Sequence, residues 1–213
     1  MRIVCLFICA LLIVPQVALS ASSQDNVSLS GIVVSVNGKA VVVETSSGRK
    51  TVAYYAKVRL FGIRSSSLDK VTANSFVGTT VSPQPDGSFQ STEVHIFAPS
   101  LRGTGEGFTK MDDGRGHMMA NSTVRTTVQP NMMANSTVRS VGGSTAGKTI
   151  TMVFPSGTKV IHIPAGVPVV YIEPGTTAML TPGTHVRVAA TENGQTLVAR
   201  FIIAGEHGLI PPM

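Results

Sequence analysis

One β-hairpin occurs twice in this chain. Lys39-Ala40-Val41-Val42-Val43-Glu44-Thr45-Ser46-Ser47-Gly48 and Lys148-Thr149-Ile150-Thr151-Met152-Val153-Phe154-Pro155-Ser156-Gly157 share an opening lysine, a closing Ser-Gly and one spacing, 109 residues apart. A fold built on such a repeat must close two small cores with equivalent strands, each near the lower limit of independent domain size.

The rest of the chain fits around these hairpins. From Val27 onward, short β-rich runs alternate with turn signals: Leu29 to Val36, Asn37-Gly38, Ala40 to Thr45, Ser47-Gly48, then Lys50 to Ala56. Asn-Gly between alternating apolar runs is a strong hairpin signal. A polar stretch from Ser65 to Asn74 has room for one short helix, and two strands follow, Phe76 to Val81 and Phe89 to Phe97, turning at Asp86-Gly87. Three strands, a linker and two strands is the OB-like order. The second copy repeats it with Ser136 to Val141, Ile150 to Phe154, Lys159 to Ile163, Val186 to Ala190 and Thr196 to Ile203, turning at Ser156-Gly157 and Asn193-Gly194. In that copy Pro174-Gly175 and Pro182-Gly183 replace the serine-rich stretch, so no helix is expected there.

A second repetition lies between the copies. Met118-Met119-Ala120-Asn121-Ser122-Thr123-Val124-Arg125 returns unchanged as Met132 to Arg139, a period of 14 residues. The later copy is expected to supply the first strand of the second barrel and the earlier one to remain in the connector. The expected architecture is therefore all-β, with two tandem small OB-like β-barrels joined by a Gly/Met-rich connector. Its parts are a signal peptide (1–20), a first barrel (27–99), the connector (100–131), a second barrel (132–206) and a tail (207–213).

Arg2, the apolar run Ile3 to Val14, Pro15 and the small-residue site Ala18-Leu19-Ser20 before Ala21 read as a secretory signal cleaved after Ser20. The run is shorter than the roughly 20 residues a spanning helix needs. Both cysteines, Cys5 and Cys9, fall within it, so the exported chain has no thiol chemistry, which suggests a periplasmic or secreted protein. Loss of Arg2 takes the formal charge from +6 to +5. Residues 27–99 hold seven basic and four acidic groups and residues 132–213 five and three, with no Lys/Arg cluster, which argues against nucleic acid as partner.

Pro83-Gln84-Pro85-Asp86-Gly87-Ser88, Glu93-Val94-His95-Ile96-Phe97, Leu101-Arg102-Gly103-Thr104-Gly105-Glu106-Gly107, Met119-Ala120-Asn121-Ser122-Thr123-Val124 and Gly208-Leu209-Ile210-Pro211-Pro212-Met213 carry a resemblance that covers nearly the whole exported chain. The sequence resembles an exported proteobacterial family of unknown function related to secreted OB-like domains. The resemblance implies the fold and the compartment, and brings neither an activity nor catalytic residues.

Gly142-Gly143-Ser144-Thr145-Ala146-Gly147-Lys148-Thr149 spells the phosphate-loop pattern. That chemistry needs a strand before the loop and a helix after it. Here a strand follows, and Gly147-Lys148 overlays the hairpin turn Gly38-Lys39, so a turn is expected. His117, Met118, Met119, Met132 and Met133 offer thioether and imidazole ligands for a soft metal such as Cu(I). Adjacent methionines in a strand also fit plain packing. Period-two alternation places His162 and His185 on the solvent face and puts Tyr54 and Tyr55 on opposite faces. Tyr54, Tyr55 and Phe61 are the best stacking platform for a glycan. No nucleophile-base set and no convincing carboxylate pair appears, and Asp112-Asp113 reads as a solvated doublet. The expected role is a non-catalytic binding or interaction module of the cell envelope, without a cofactor, recognising an envelope protein or glycan; the alternative is a periplasmic copper-binding protein.

Overall fold

A computed structural model describes residues 26–111, 115–128 and 147–212, with backbone only at 126–128. Among these residues the protein is all-β. Its strands are β1 (Asn26–Asn37), β2 (Ala40–Thr45), β3 (Gly48–Ala53), β4 (Arg59–Ser65), β5 (Phe76–Pro83), β6 (Phe89–Phe97), β7 (Gly107–Lys110), β8 (Met118–Val128), β9 (Lys148–Phe154), β10 (Gly157–Ile163), β11 (Val169–Pro174), β12 (His185–Asn193) and β13 (Thr196–Gly205). All thirteen belong to one hydrogen-bonded sheet. No helix among the described residues is long and apolar enough to cross a membrane.

The local turns follow the sequence reading. Gly48 and Gly157, 109 residues apart, adopt φ of +96° and +111°, a region that glycine enters without the Cβ penalty. Asn37 closes its hairpin by accepting the Lys39 and Ala40 amides on Oδ1. Val41, Val43 and Val52 are buried between more exposed neighbours, as period two requires.

The partnering of these hairpins departs from the tandem expectation. β1, β2 and β3 pair in series, but β1 then pairs β12, and β3 runs parallel to β13, which completes the hairpin with β12. These five strands form one closed circuit of pairings. β8, β9 and β10 likewise pair in series, and β5 and β6 close a second circuit through β8 and β10. Each circuit thus takes three strands from one copy and a closing hairpin from the other. Val41, Val43 and Val52 pack with Val186, Val188 and Ile202, while Val77, Val81 and Val94 pack with Ile150, Met152 and Ile161.

β4 and β11 carry the chain across. They pair antiparallel with Ile63 opposite Ile172, residues that are themselves 109 apart, so an approximate two-fold axis passes between them. On either side β4 pairs with β13 and β11 with β6, both parallel. Ile63, Val170 and Ile172 form a third cluster, against which Leu101 and Leu209 pack from the short 3-10 segments that follow β6 and β13. Arg64 lies 4.3 Å from the Tyr171 ring centroid across the same strand pair.

Two expectations are corrected. The earlier Met repeat is not left in the connector; Met118–Arg125 forms most of β8, paired to β5, β7 and β9, whereas Met132–Arg139 lies outside the described residues. β1 and β8 are true equivalents, because each is bulged (between Val33 and Ser35, and between Val124 and Thr126) opposite hairpin positions 109 apart. The second copy also keeps its helical turn: Thr177–Met179 matches Leu68–Lys70, and the residues that follow, Leu180 and Val71, are buried in opposite circuits. Pro174-Gly175 and Pro182-Gly183 flank that turn rather than replacing it.

Since the two repeats are identical, removal of Thr126 to Arg139 joins Arg125 to Ser140 and restores a single copy. Ser140 and Val141 then take the places of Thr126 and Thr127 opposite Thr151 and Ile150. The shortened chain is expected to unfold within about 1 kcal/mol of the parent in urea, because shortening a connection changes closure entropy only slowly. A loss of several kcal/mol would show that the second repeat is needed by the fold.

Lys148 has acquired a structural task that its mate Lys39 lacks. It is buried, and its Nζ donates to the carbonyl oxygens of Leu68 and Val71, both at 2.8 Å, tying the helical turn of the first copy to the second circuit. Lys148→Met keeps the stem and removes both donors; it should cost roughly 2–3 kcal/mol. The exposed Lys39→Met should fall within about 0.5 kcal/mol of the parent. Parallel thermal melts compare the two.

Candidate functional site

The face of the central sheet around the two-fold axis is hollow. Alternation along β4 sets Arg59, Phe61 and Ile63 on this face, and pairing brings Phe201 beside Arg59 and Ile203 beside Phe61. β12 adds Arg187, opposite Ile203, and Ala189, opposite Phe201. From the other half come His95 and Phe97 on β6 and Met119 and Asn121 on β8. Except for the buried Ile63, these residues, with Ile172, Met111, Thr104, Gly105, Ser28 and Pro212, line a cleft of about 420 Å³.

Its walls come from segments far apart in sequence. Glu93–Phe97, Leu101–Gly107, Met119–Val124 and the Gly208–Met213 tail each supply a lining residue, so four of the strings noted in the sequence converge on one place. Gly78 makes this approach feasible. A Cβ there would overlap Asn121 Oδ1 and come within 3.0 Å of Phe97, while Asn121 Nδ2 donates to Gly105 O at 3.1 Å and holds the loop before β7 in place.

The cleft is apolar with a one-sided charge. Phe61 and Phe201 meet edge-on with centroids 6.4 Å apart. Arg59 and Arg187 line the cavity, no lining residue is acidic, and neither arginine takes part in an ion pair among the described residues. Beside the cleft, Glu93 is buried; it accepts from Thr80 Oγ1 at 2.6 Å and lies 3.6 Å from His95 Nε2. At that distance the His95 contact is electrostatic rather than a hydrogen bond.

Among the described residues the proposed metal ligands divide between two environments. Met118 packs against the second circuit's apolar cluster, while its neighbour Met119 faces the cleft, as alternation along β8 demands. His117 precedes β8 and its carbonyl accepts from Met111 N at 2.9 Å; Met132 and Met133 lie outside the described residues. Among the described residues no group of three His, Cys, Asp or Glu side chains could hold a metal ion. Met111, Met119 and His95 do share the cleft, a combination the sequence reading missed because it searched for adjacent ligands.

The other candidates separate cleanly. Lys148 and Thr149, the last two residues of the phosphate-loop match, open β9 and are strand. Tyr54 is buried, its hydroxyl donating to Asn37 O at 2.9 Å, and Tyr55 is 71% exposed. Of the three aromatics considered, Phe61 alone reaches the cleft. His162 is exposed and His185 half-buried, next to the buried Val186. Asp112 and Asp113 lie outside the described residues. His162 borders a shallow hollow with Gln84, Asp86 and Ser88, where hydrogen bonds from the Ser88 hydroxyl and amide hold the Asp86 carboxyl below its ordinary range.

No protein family, curated protein or solved structure matches the chain.

Proposed function

We propose that the protein is an exported, non-catalytic binding module of the bacterial cell envelope, built from two OB-like barrels that exchange their closing hairpins, with the cleft at their junction as the ligand site. The strand order supports the barrel reading: each circuit runs first, second, third, fifth, fourth, with the third and fifth strands parallel, as in an OB-like barrel. The cleft carries the binding reading. A concave, mostly apolar space of about 420 Å³ with a few polar groups at its edge falls within the range of small-ligand sites.

A titration of the isotope-labelled protein with 1-octanol tests this. Amide and methyl shifts should move at Phe61, Phe97, Ile172, Phe201 and Ile203 and saturate together; an absence of change at those positions would remove the cleft as a site.

A second reading rests on Met111, Met119 and His95 sharing the cleft: two thioethers and an imidazole suit Cu(I). In that case Met119→Leu should weaken Cu(I) binding at least tenfold in competition with a chromogenic chelator, while Met118→Leu should leave it unchanged. Equal affinities in all three proteins would discard the copper reading.

A further inference from the structure

We infer that the cleft selects a single-headed amphipathic anion, with its carboxylate or phosphate held by Arg59 and Arg187 and its apolar body laid across the phenylalanines toward Met119. This rests on the reading of the cleft as a ligand site and adds the class of ligand.

The register places the two cations. Arg59 on β4 and Arg187 on β12 flank β13, one beside Phe201 and the other beside Ile203. Two strand spacings sideways and two residues along put their Cα atoms about 12 Å apart. Two long side chains rooted at that separation on one face can meet over the Phe201–Ile203 stripe between them. Among the described residues neither guanidinium is engaged by a carboxylate, although arginine at a protein surface readily finds one, and none of the described residues lining the cleft is an acid that would compete with an incoming anion. Guanidinium forks match carboxylate and phosphate oxygens, and such charge-assisted hydrogen bonds are about twice as strong as neutral ones.

The far half of the cleft has a different character. Across the approximate two-fold, the place of Arg187 is taken by Gly78, that of Phe201 by Glu93 and that of Ile203 by His95, as the equivalent pairings with β5 and β6 show. Glu93, a carboxylate among the described residues there, is buried against Thr80 and His95. Positive charge is therefore concentrated toward one end, with apolar surface extending away from it. That polarity suits a molecule with one charged head, and fits poorly a cation, a neutral chain or an anion charged at both ends.

The test compares octanoate, monooctyl phosphate, 1-octanol and octyltrimethylammonium on the whole exported protein by the shift titration described above. Octanoate and octyl phosphate are expected to bind at least tenfold more tightly than octanol, and the ammonium more weakly than octanol. Arg59→Gln with Arg187→Gln should bring the anions to within about threefold of octanol measured on the same variant, and the double lysine variant should recover part of the preference. Arg59 is exposed and Arg187 half-buried, so thermal melts of each variant should stay close to the parent. Equal affinity for octanoate and octanol in the parent protein would overturn the anion assignment and leave the cleft as a binding site. Failure of all four probes to shift cleft residues would overturn both. The better of the two anions identifies the head group.

Discussion

Residues 27–99 expressed alone should yield no folded monomer. The fragment contains β1 to β3 and the β5–β6 hairpin, yet in the full protein these two pieces belong to different circuits. β1 loses β12, β3 loses β13, β5 loses β8, and β6 loses β10 and β11. Val41, Val43 and Val52 would face water without Val186, Val188 and Ile202. Isolated hairpins and small meanders are marginal without a covered apolar face. Circular dichroism should show no cooperative melt at micromolar concentration, and any folded species seen by light scattering should be a dimer, in which two copies exchange their β5–β6 hairpins. A monomer with a sharp melt would mean that the copy can close on its own strands, and that the crossed pairing is not essential.

The reason the crossing escapes a sequence reading is specific. The apolar pattern in β5, β6, β12 and β13 encodes which residues are buried, and Val77 and Val186 look alike in that respect. Nothing in such a pattern states which three-stranded unit a hairpin will cover. Turns were legible because they depend on local chemistry: Asn37-Gly38, Ser47-Gly48 and Ser156-Gly157 all sit where strands reverse. The opposed tyrosines were legible for the same reason, since alternation alone separates Tyr54 from Tyr55. β8 could not be located from its residues, because Met118–Arg125 and Met132–Arg139 are identical and only the longer-range pairing distinguishes them. The cleft had a partial signal in Arg59, Phe61 and Ile63, a cation and two apolar groups on one face of one strand. Its meaning depended on Phe201 and Arg187, more than 120 residues away and adjacent only once β13 has been inserted between β4 and β12.

A charge at the two-fold should be the most damaging single change. Ile63 is 1% exposed and faces Ile172 across β4 and β11, with Val170 in the same cluster and Leu101 and Leu209 packed onto it. Ile63→Val deletes one methylene and should cost about 1 kcal/mol, and Ile63→Ala about 2–5 kcal/mol, depending on how far the neighbours close the gap. Ile63→Asp adds to this the desolvation of a carboxylate, several kcal/mol, because the position is buried among apolar side chains. Total stability for a domain is only about 5–15 kcal/mol, so the aspartate variant should be largely unfolded at 37 °C while the valine variant keeps a native melt. The same ladder at Ile172 should fall at similar steps, since the two residues occupy one environment seen from opposite sides. The double alanine should depart from the sum of the singles by about 0.5–3 kcal/mol, as contacting residues do. Strict additivity would show that β4 and β11 stabilise their own circuits independently. A single melting transition that shifts as a whole along both ladders would show instead that exchange has made the two circuits one cooperative unit, in which neither core can open without releasing the strands that close the other.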